Sequence, residues 1–465
     1  MTPRMQAVSR ARMPAPRTLL AWLRQPVDNS PLVFFRIAYG FLLFLQAAGS
    51  IVLGFVRETF VEPQVFFPMI GFEWLMVLAG PWIYLLFVLM SVAALMVMFG
   101  VWYRASLGFF TIAWAATYVM QIESYNNHYY LMILLCVLLL PTPAHAWASF
   151  DVRRRPVIRS ITCPRWCIAQ FVLQSLIVYE FAALAKLYPD WLEGRAISVL
   201  LASRTDRPIV GPLLDEPWLQ WALAYGGIFF DALIGPLLLW PRTRLVALGL
   251  AVVFHLFNSI TFAIGVFPYT ALALCVFFFP GEQVRRLFFR RKPPVTDEIP
   301  LDEGAAGEGW SWKPSVGFAV LVVYFAVQIL LPLRHLLYPG DVNWTEEGHR
   351  MSWRMMLRSK TGKILFRVRD PATGEDVEVK HGEILTAKQS VRMPVQPEMI
   401  WQFVQHLKRQ HAAEGKNGIE IYADSQVSLN GHPRTPLVRG DLDLAKSEWR
   451  VFGPQDWVTR TRGEE

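Results

Sequence analysis

Three short polar stretches interrupt the apolar, membrane-length segments of this chain: Tyr125-Asn126-Asn127-His128-Tyr129, Ala185-Lys186-Leu187-Tyr188-Pro189-Asp190-Trp191 and His255-Leu256-Phe257-Asn258-Ser259. Each puts a polar or ionisable group where hydrocarbon begins or has already begun. That placement is costly, so such groups mark a candidate site. Two imidazoles and an amine at a lipid boundary offer proton transfer and directed hydrogen bonds. Ordinary readings stand beside this one. Lys186 can snorkel to the interface, an asparagine can cap the helix that His128 opens, and His255 can be a paired packing residue. Arg36, Glu180 and Asp231 are further intramembrane charges that tie spans together. Asp231 faces either a cavity or a partner cation.

Several chemistries are excluded. Gly-x-Ser-x-Gly, a P-loop, a Gly-x-Gly-x-x-Gly strand–helix unit and His-Glu-x-x-His are all absent. Cys163 and Cys167 share a helix face at i,i+4 spacing, but no other ligand cluster lies nearby, so no metal is expected. The chain carries +8, yet nearly all of that excess sits in short loops. It reads as topology, not as a nucleic-acid surface.

The elements that must position these groups are membrane spans. The chain is 54% hydrophobic and only 18% charged, where a soluble domain is nearer a quarter charged. About nine apolar runs reach spanning length, at 31–54, 82–101, 104–122, 128–147, 166–187, 218–240, 244–263, 266–281 and 314–333. The stretch 59–80 is amphipathic and aromatic, suited to the interface or to re-entry. Cations decide the orientation. One set of connections holds Arg104, Arg153, Arg154, Arg155, Arg159, Arg165, Arg242, Arg285, Arg286, Arg290, Arg291 and Lys292; the other holds only Arg57, Arg195, Arg204 and Arg207. An arginine-rich arm over 1–25, with no signal-peptide pattern, joins the first set and is expected in the cytoplasm of a cell (inner) membrane protein. The membrane part is then 26–335, with a cytoplasmic linker at 293–312, and a β-rich domain over 340–465 lies on the outer face. Within that domain, Ile364–Arg369 and Val377–Lys380 read as a hairpin, 397–413 as a helix, and 419–429 as a strand ending in Asn430-Gly431. The expected fold class is a polytopic α-helical membrane protein with a C-terminal β-rich domain.

The residues resemble the vitamin K-dependent γ-glutamyl carboxylases and their bacterial relatives, the HTTM proteins. The resemblance runs from Pro26-Val27-Asp28 and Val33-Phe34-Phe35-Arg36 through Tyr103-Arg104, Asn126-Asn127-His128-Tyr129-Tyr130 and Ala185-Lys186-Leu187 with Asp190-Trp191-Leu192-Glu193-Gly194. It continues through Gly226-Gly227 with Asp231, Phe254-His255 with Asn258-Ser259, and Gly265-Val266-Phe267. In the tail it covers Asn343-Trp344-Thr345, Ser352-Trp353-Arg354-Met355-Met356 and Val427-Ser428-Leu429-Asn430. It implies reduced vitamin K, or a menaquinol-type hydroquinone, as cofactor, with O2 and CO2 as co-substrates, a secreted glutamate-containing peptide as partner, and membrane lipid around the fold. Lys186 is implied as the base that deprotonates the quinol, and oxidation then supplies a base strong enough for the glutamate γ-carbon. Free lysine titrates near 10.4, and burial brings such an amine into range. His128 is implied to stabilise the resulting anion. His255, Asn258 and Asn127 are expected at the quinol pocket, and Trp344, Ser352 and Trp353 at the glutamate.

The chain departs from the animal enzymes in three places. Ala185-Lys186 stands where they have two lysines, Arg358 stands where they have a histidine, and the tail has no cysteine for their disulfide. The function that the resemblance implies is quinol epoxidation coupled to γ-carboxylation of peptide glutamate, and the departures favour the epoxidation over the carboxylation. The alternatives are a quinol oxygenase without carboxylation and a non-catalytic membrane lipid-binding, solute-binding or transport protein.

Overall fold

The computed structural model describes residues 18–206, 211–262, 264–295 and 314–460. The expected N-terminal arm lies outside the described residues as far as residue 17, and the linker does so from residue 296. Five helices are long and apolar enough to cross a membrane: Ser30–Val52, Trp166–Ala185, Pro217–Leu239, Arg244–Phe262 and Val316–Leu337. Each of the other four expected segments is helical but falls short of that standard. Ile83–Phe99, Asn127–Leu139 and Phe267–Phe278 are shorter, and Tyr103–Met120 carries Tyr, Ser and Thr side chains along its length. Asn127–Leu139 has 13 residues, a rise of about 20 Å against a hydrocarbon core of about 30 Å.

Small residues and a few polar ties set the helix packing. A Cβ on Gly40 would lie 2.6 Å from the Met98 backbone nitrogen, so only glycine admits the close crossing of Ser30–Val52 with Ile83–Phe99. Arg36 is fully buried and donates to Ala148 O at 2.7 Å, tying Ser30–Val52 to the loop that follows Asn127–Leu139 and not to another span. At the same end, Asp28 pairs with Lys292, which also donates to Ser30 Oγ at 2.8 Å. The last apolar helix docks through Tyr324 to Gln174 Oε1 at 2.7 Å and Gln328 to the Tyr130 hydroxyl at 3.1 Å. Such bonds replace the hydrophobic drive that helices lack in lipid.

The C-terminal region is an antiparallel four-stranded sheet in the order Asp376–Val379, Lys360–Arg369, Glu420–Leu429, Thr435–Pro436. Alternation buries Ile364, Phe366 and Val368 on one strand and Ile421, Ala423 and Val427 on its partner. Helix Pro397–Ala413 covers that face, with Phe403 5.0 Å from Phe366. Asn430 and Gly431 both take positive φ, 49° and 79°, as the expected tight turn requires. The sheet region clasps one end of the helical bundle. Asn430 Nδ2 donates to Asp190 Oδ2 at 2.8 Å, His432 Nε2 lies 3.0 Å from Asp190 Oδ1, and Gln389 donates to Val65 O at 2.8 Å. This is the end where Asn127–Leu139 begins and Trp166–Ala185 stops.

Candidate active site

Helix Trp166–Ala185 stops at Lys186 because Tyr188 must be extended ahead of Pro189, which opens the next short helix. The lysine stem turns inward. Nζ donates to Ala182 O at 3.2 Å and to Asp231 Oδ2 at 2.5 Å, and the residue is 8% exposed. It does not snorkel. Asp231 points inward from Pro217–Leu239, and Gly227, one turn earlier, leaves room for the lysine stem, 3.7 Å from where its Cβ would stand. The Trp191 ring closes another side at 5.6 Å from Nζ, fixed by its own bond to Ala224 O at 2.9 Å. Asp231 thus resolves to both readings at once: it faces a cavity and holds a cation. The amine that burial was expected to bring into range is one half of a buried ion pair. An ammonium has three donors, so one direction is left for a ligand.

His128 opens its helix under an Asn126 cap, whose side chain accepts from Tyr129 N at 2.8 Å. The cap is therefore Asn126, and the imidazole has another task. It stacks on Phe267 at 4.0 Å, and the same phenyl ring meets His255 edge-on at 6.1 Å. His255 Nε2 lies 2.9 Å from the Tyr179 hydroxyl, and the Nδ1 atoms of both histidines are buried without a hydrogen-bond partner among the described residues. Lys186, Asp231, His128, His255 and Asn258 all line one cavity of about 600 Å³, otherwise walled largely by Leu, Val, Ile and Phe side chains. That volume and mix suit a drug-sized apolar ligand with a few polar handles.

The other expected site residues do not line this cavity. Asn127 accepts from the Tyr125 hydroxyl at 2.9 Å and donates to Arg354 O at 3.3 Å. Trp344 is buried in the sheet-domain core and donates to Thr459 Oγ1 at 3.2 Å. Ser352 is buried on His349 O, and Trp353 is fully buried against Tyr130 at 5.3 Å. Their neighbours Met355 and Met356 reach the cavity instead.

Tyr179, Phe267 and the two methionines were not legible as site residues. Tyr179 had one usable signal, its position two helical turns before Lys186 on the same face. Asp231 lies 45 residues from Lys186, so no local spacing pairs them.

Residues 24–282 match the HTTM domain, and residues 313–464 match the lumenal domain of vitamin K-dependent gamma-carboxylase. The chain belongs to the HTTM-domain gamma-carboxylase family. No solved structure matches it. In this family member, the two matched domains support a membrane setting and a carboxylase-type function. Its Arg358, the departure from the animal enzymes, makes two bonds to Glu346, at 2.6 and 3.1 Å, and does not line the cavity. Lys360 and His349 complete that cluster at 3.2 and 3.3 Å from the same carboxylate. Burial works against the Glu346 anion, but Arg358 and Lys360 outweigh it and hold the carboxyl well below the usual range. Burial also pushes the His349 imidazole down to about 3, with Glu346 opposing.

Proposed function

We propose that this gamma-carboxylase family member epoxidises a vitamin K-type quinol and couples that oxidation to carboxylation of glutamate in a peptide. The observation that carries the reading is the Lys186–Asp231 pair, 2.5 Å apart and buried, at the wall of an apolar cavity that also presents His128 and His255. When bound, a reduced quinone with oxygen supplies a base stronger than any side chain. The chain's own residues do the rest. The pair is neutral overall, as ammonium with carboxylate or as amine with acid. Either form accepts one proton from a ring hydroxyl placed at Nζ, and the acceptor is the pair, not the amine alone. The site then balances a new negative charge with a positive one, which keeps the cost tolerable in low dielectric.

Tyr179 has no other partner among the described residues, so its hydroxyl donates to His255 Nε2 and leaves the ring proton on Nδ1. His255 then offers a donor to a quinone oxygen. His128, held flat against Phe267, offers its own nitrogen near the same ring. The cavity's aliphatic and aromatic wall excludes water and accepts a lipid-like tail. The two orphaned imidazole nitrogens and the unfilled apolar volume fit such a ligand; no metal ligand set of three or more occurs among the described residues. The described residues between 26 and 335 form the membrane part, those from 340 to 460 sit on the outer face, and the site opens at that end.

The test supplies reduced vitamin K, oxygen and labelled bicarbonate to purified protein, with and without a glutamate peptide. Epoxide with label fixed in the peptide is the expected result. Epoxide without fixed label assigns a quinol oxygenase, a reading kept in view because Arg358 is committed to Glu346. Absence of both products overturns the enzymatic reading.

A further inference from the structure

Four cations lie between residues 350 and 360, and three of them meet a carboxylate. Arg350 reaches Glu398 at 2.5 Å, and Arg358 and Lys360 share Glu346. Arg354 forms no ion pair among the described residues. Its Nη2 donates to Asn343 Oδ1 at 3.1 Å, while its Nε is buried with no partner. Burial, reinforced by the neighbouring Arg358 cation and opposed by the Asp341 carboxylate, presses this guanidinium down to about 10. A cation partly removed from water and held by no direct salt bridge gains more from an incoming anion than one already paired.

The backbone around it is held in place. Trp353 and Met356 adopt φ of 57° and 55°, a region that strains side chains of their bulk. Three bonds keep them there: Asn127 to Arg354 O at 3.3 Å, the Tyr125 hydroxyl with Met351 N, and the Tyr188 hydroxyl to Leu357 O. All three donors or acceptors come from the ends of the helices that carry His128 and Lys186. Strain retained by several independent ties points to function. The next two residues, Met355 and Met356, line the cavity that holds Lys186 and His128. Arg354 therefore sits on the segment that joins the cavity to the sheet domain, next in the chain to the cavity-lining Met355, with its guanidinium turned to Asn343.

We propose that Arg354 receives the side-chain carboxylate of a peptide glutamate and presents it at the Met355–Met356 edge of the cavity. A single unmatched cation with one nitrogen already committed to Asn343 suits a planar monoanion better than a phosphate dianion. This rests on the carboxylase-type reading above, but its test needs no turnover. Two labelled peptides that differ only by glutamate or glutamine are titrated into the detergent-solubilised full chain, wild type and Arg354→Gln. Wild type is expected to prefer the glutamate peptide by about tenfold to a hundredfold, and Arg354→Gln to bind both alike. A structural role for Arg354 would weaken both peptides together and leave their ratio intact. Arg354→Lys, which keeps the charge without the fork, is expected to retain part of the preference, and it carries the test should the glutamine variant misfold. A ratio unchanged in the variants, or no preference in wild type, overturns the proposal. Absence of epoxide from wild type overturns the functional reading alone, whichever way the peptide ratios fall.

Discussion

The Lys186–Asp231 pair can be separated into its structural and chemical parts by Lys186→Met, Asp231→Asn and the two combined. The partners are 2.5 Å apart, and their side chains are 10% and 7% exposed. Removing either one strands a buried charge, which costs about 3–5 kcal/mol. Removing both strands nothing, and replacing a buried pair with neutral groups of similar volume is close to neutral. The double variant should therefore be several kcal/mol more stable than the sum of the single effects implies. Activity should behave differently. Loss of the proton acceptor is expected to lower epoxide formation by roughly 10²- to 10⁴-fold, and Asp231→Asn should not restore it in the Lys186→Met background. Stability is read as thermal unfolding in detergent by tryptophan fluorescence, and epoxide by chromatography of the quinone pool. Additive stability effects would refute the buried pair. Epoxidation of Lys186→Met within tenfold of wild type would refute its role as acceptor.

Tyr179→Phe removes the hydroxyl that orients His255 while keeping the ring. Quinol turnover should fall about tenfold or more, with a thermal midpoint near wild type, because one hydrogen bond is worth about 1 kcal/mol. The Glu346–His349 cluster should make the sheet region acid-labile. His349 titrates at about 3 in the fold against roughly 6.5 unfolded, so the unfolded chain binds the proton first as pH falls. Stability should therefore drop between about pH 6.5 and 3, with Glu346 adding loss below roughly 4.5; His349→Gln should flatten the upper part of that slope in pH-dependent melts. Asp190→Asn weakens charge-assisted bonds to His432 and Asn430, so limited proteolysis between the sheet region and the bundle should accelerate by the equivalent of about 1.5–3 kcal/mol.

Much of the sheet region was legible because its signals are local. The hairpin around 370–376, the helix at Pro397–Ala413 and the strand ending at Asn430 follow from alternation, periodicity and turn chemistry within ten or so residues. The full-length pairing of Lys360–Arg369 with Glu420–Leu429 was not legible, since it joins strands some 50 residues apart. The membrane count was only partly legible. Hydropathy locates apolar runs well, but where each helix ends is decided by caps such as Gly100 and by tightening of the helix at Cys275–Phe278.

The amino-acid sequence by itself determined which groups were chemically conspicuous. A lysine, two histidines and an aspartate set in hydrocarbon-length apolar runs are costly wherever they lie, and that cost is visible without coordinates. Only the tertiary structure decided which of them meet. It placed Lys186 against Asp231 and both imidazoles against Phe267 around one cavity, and it sent Asn127, Trp344, Ser352 and Trp353 into ties and cores outside that wall. The physical reason is that burial of a residue is a property of its own segment, whereas the partner that makes burial affordable comes from another helix, at a distance in the chain that no periodicity records.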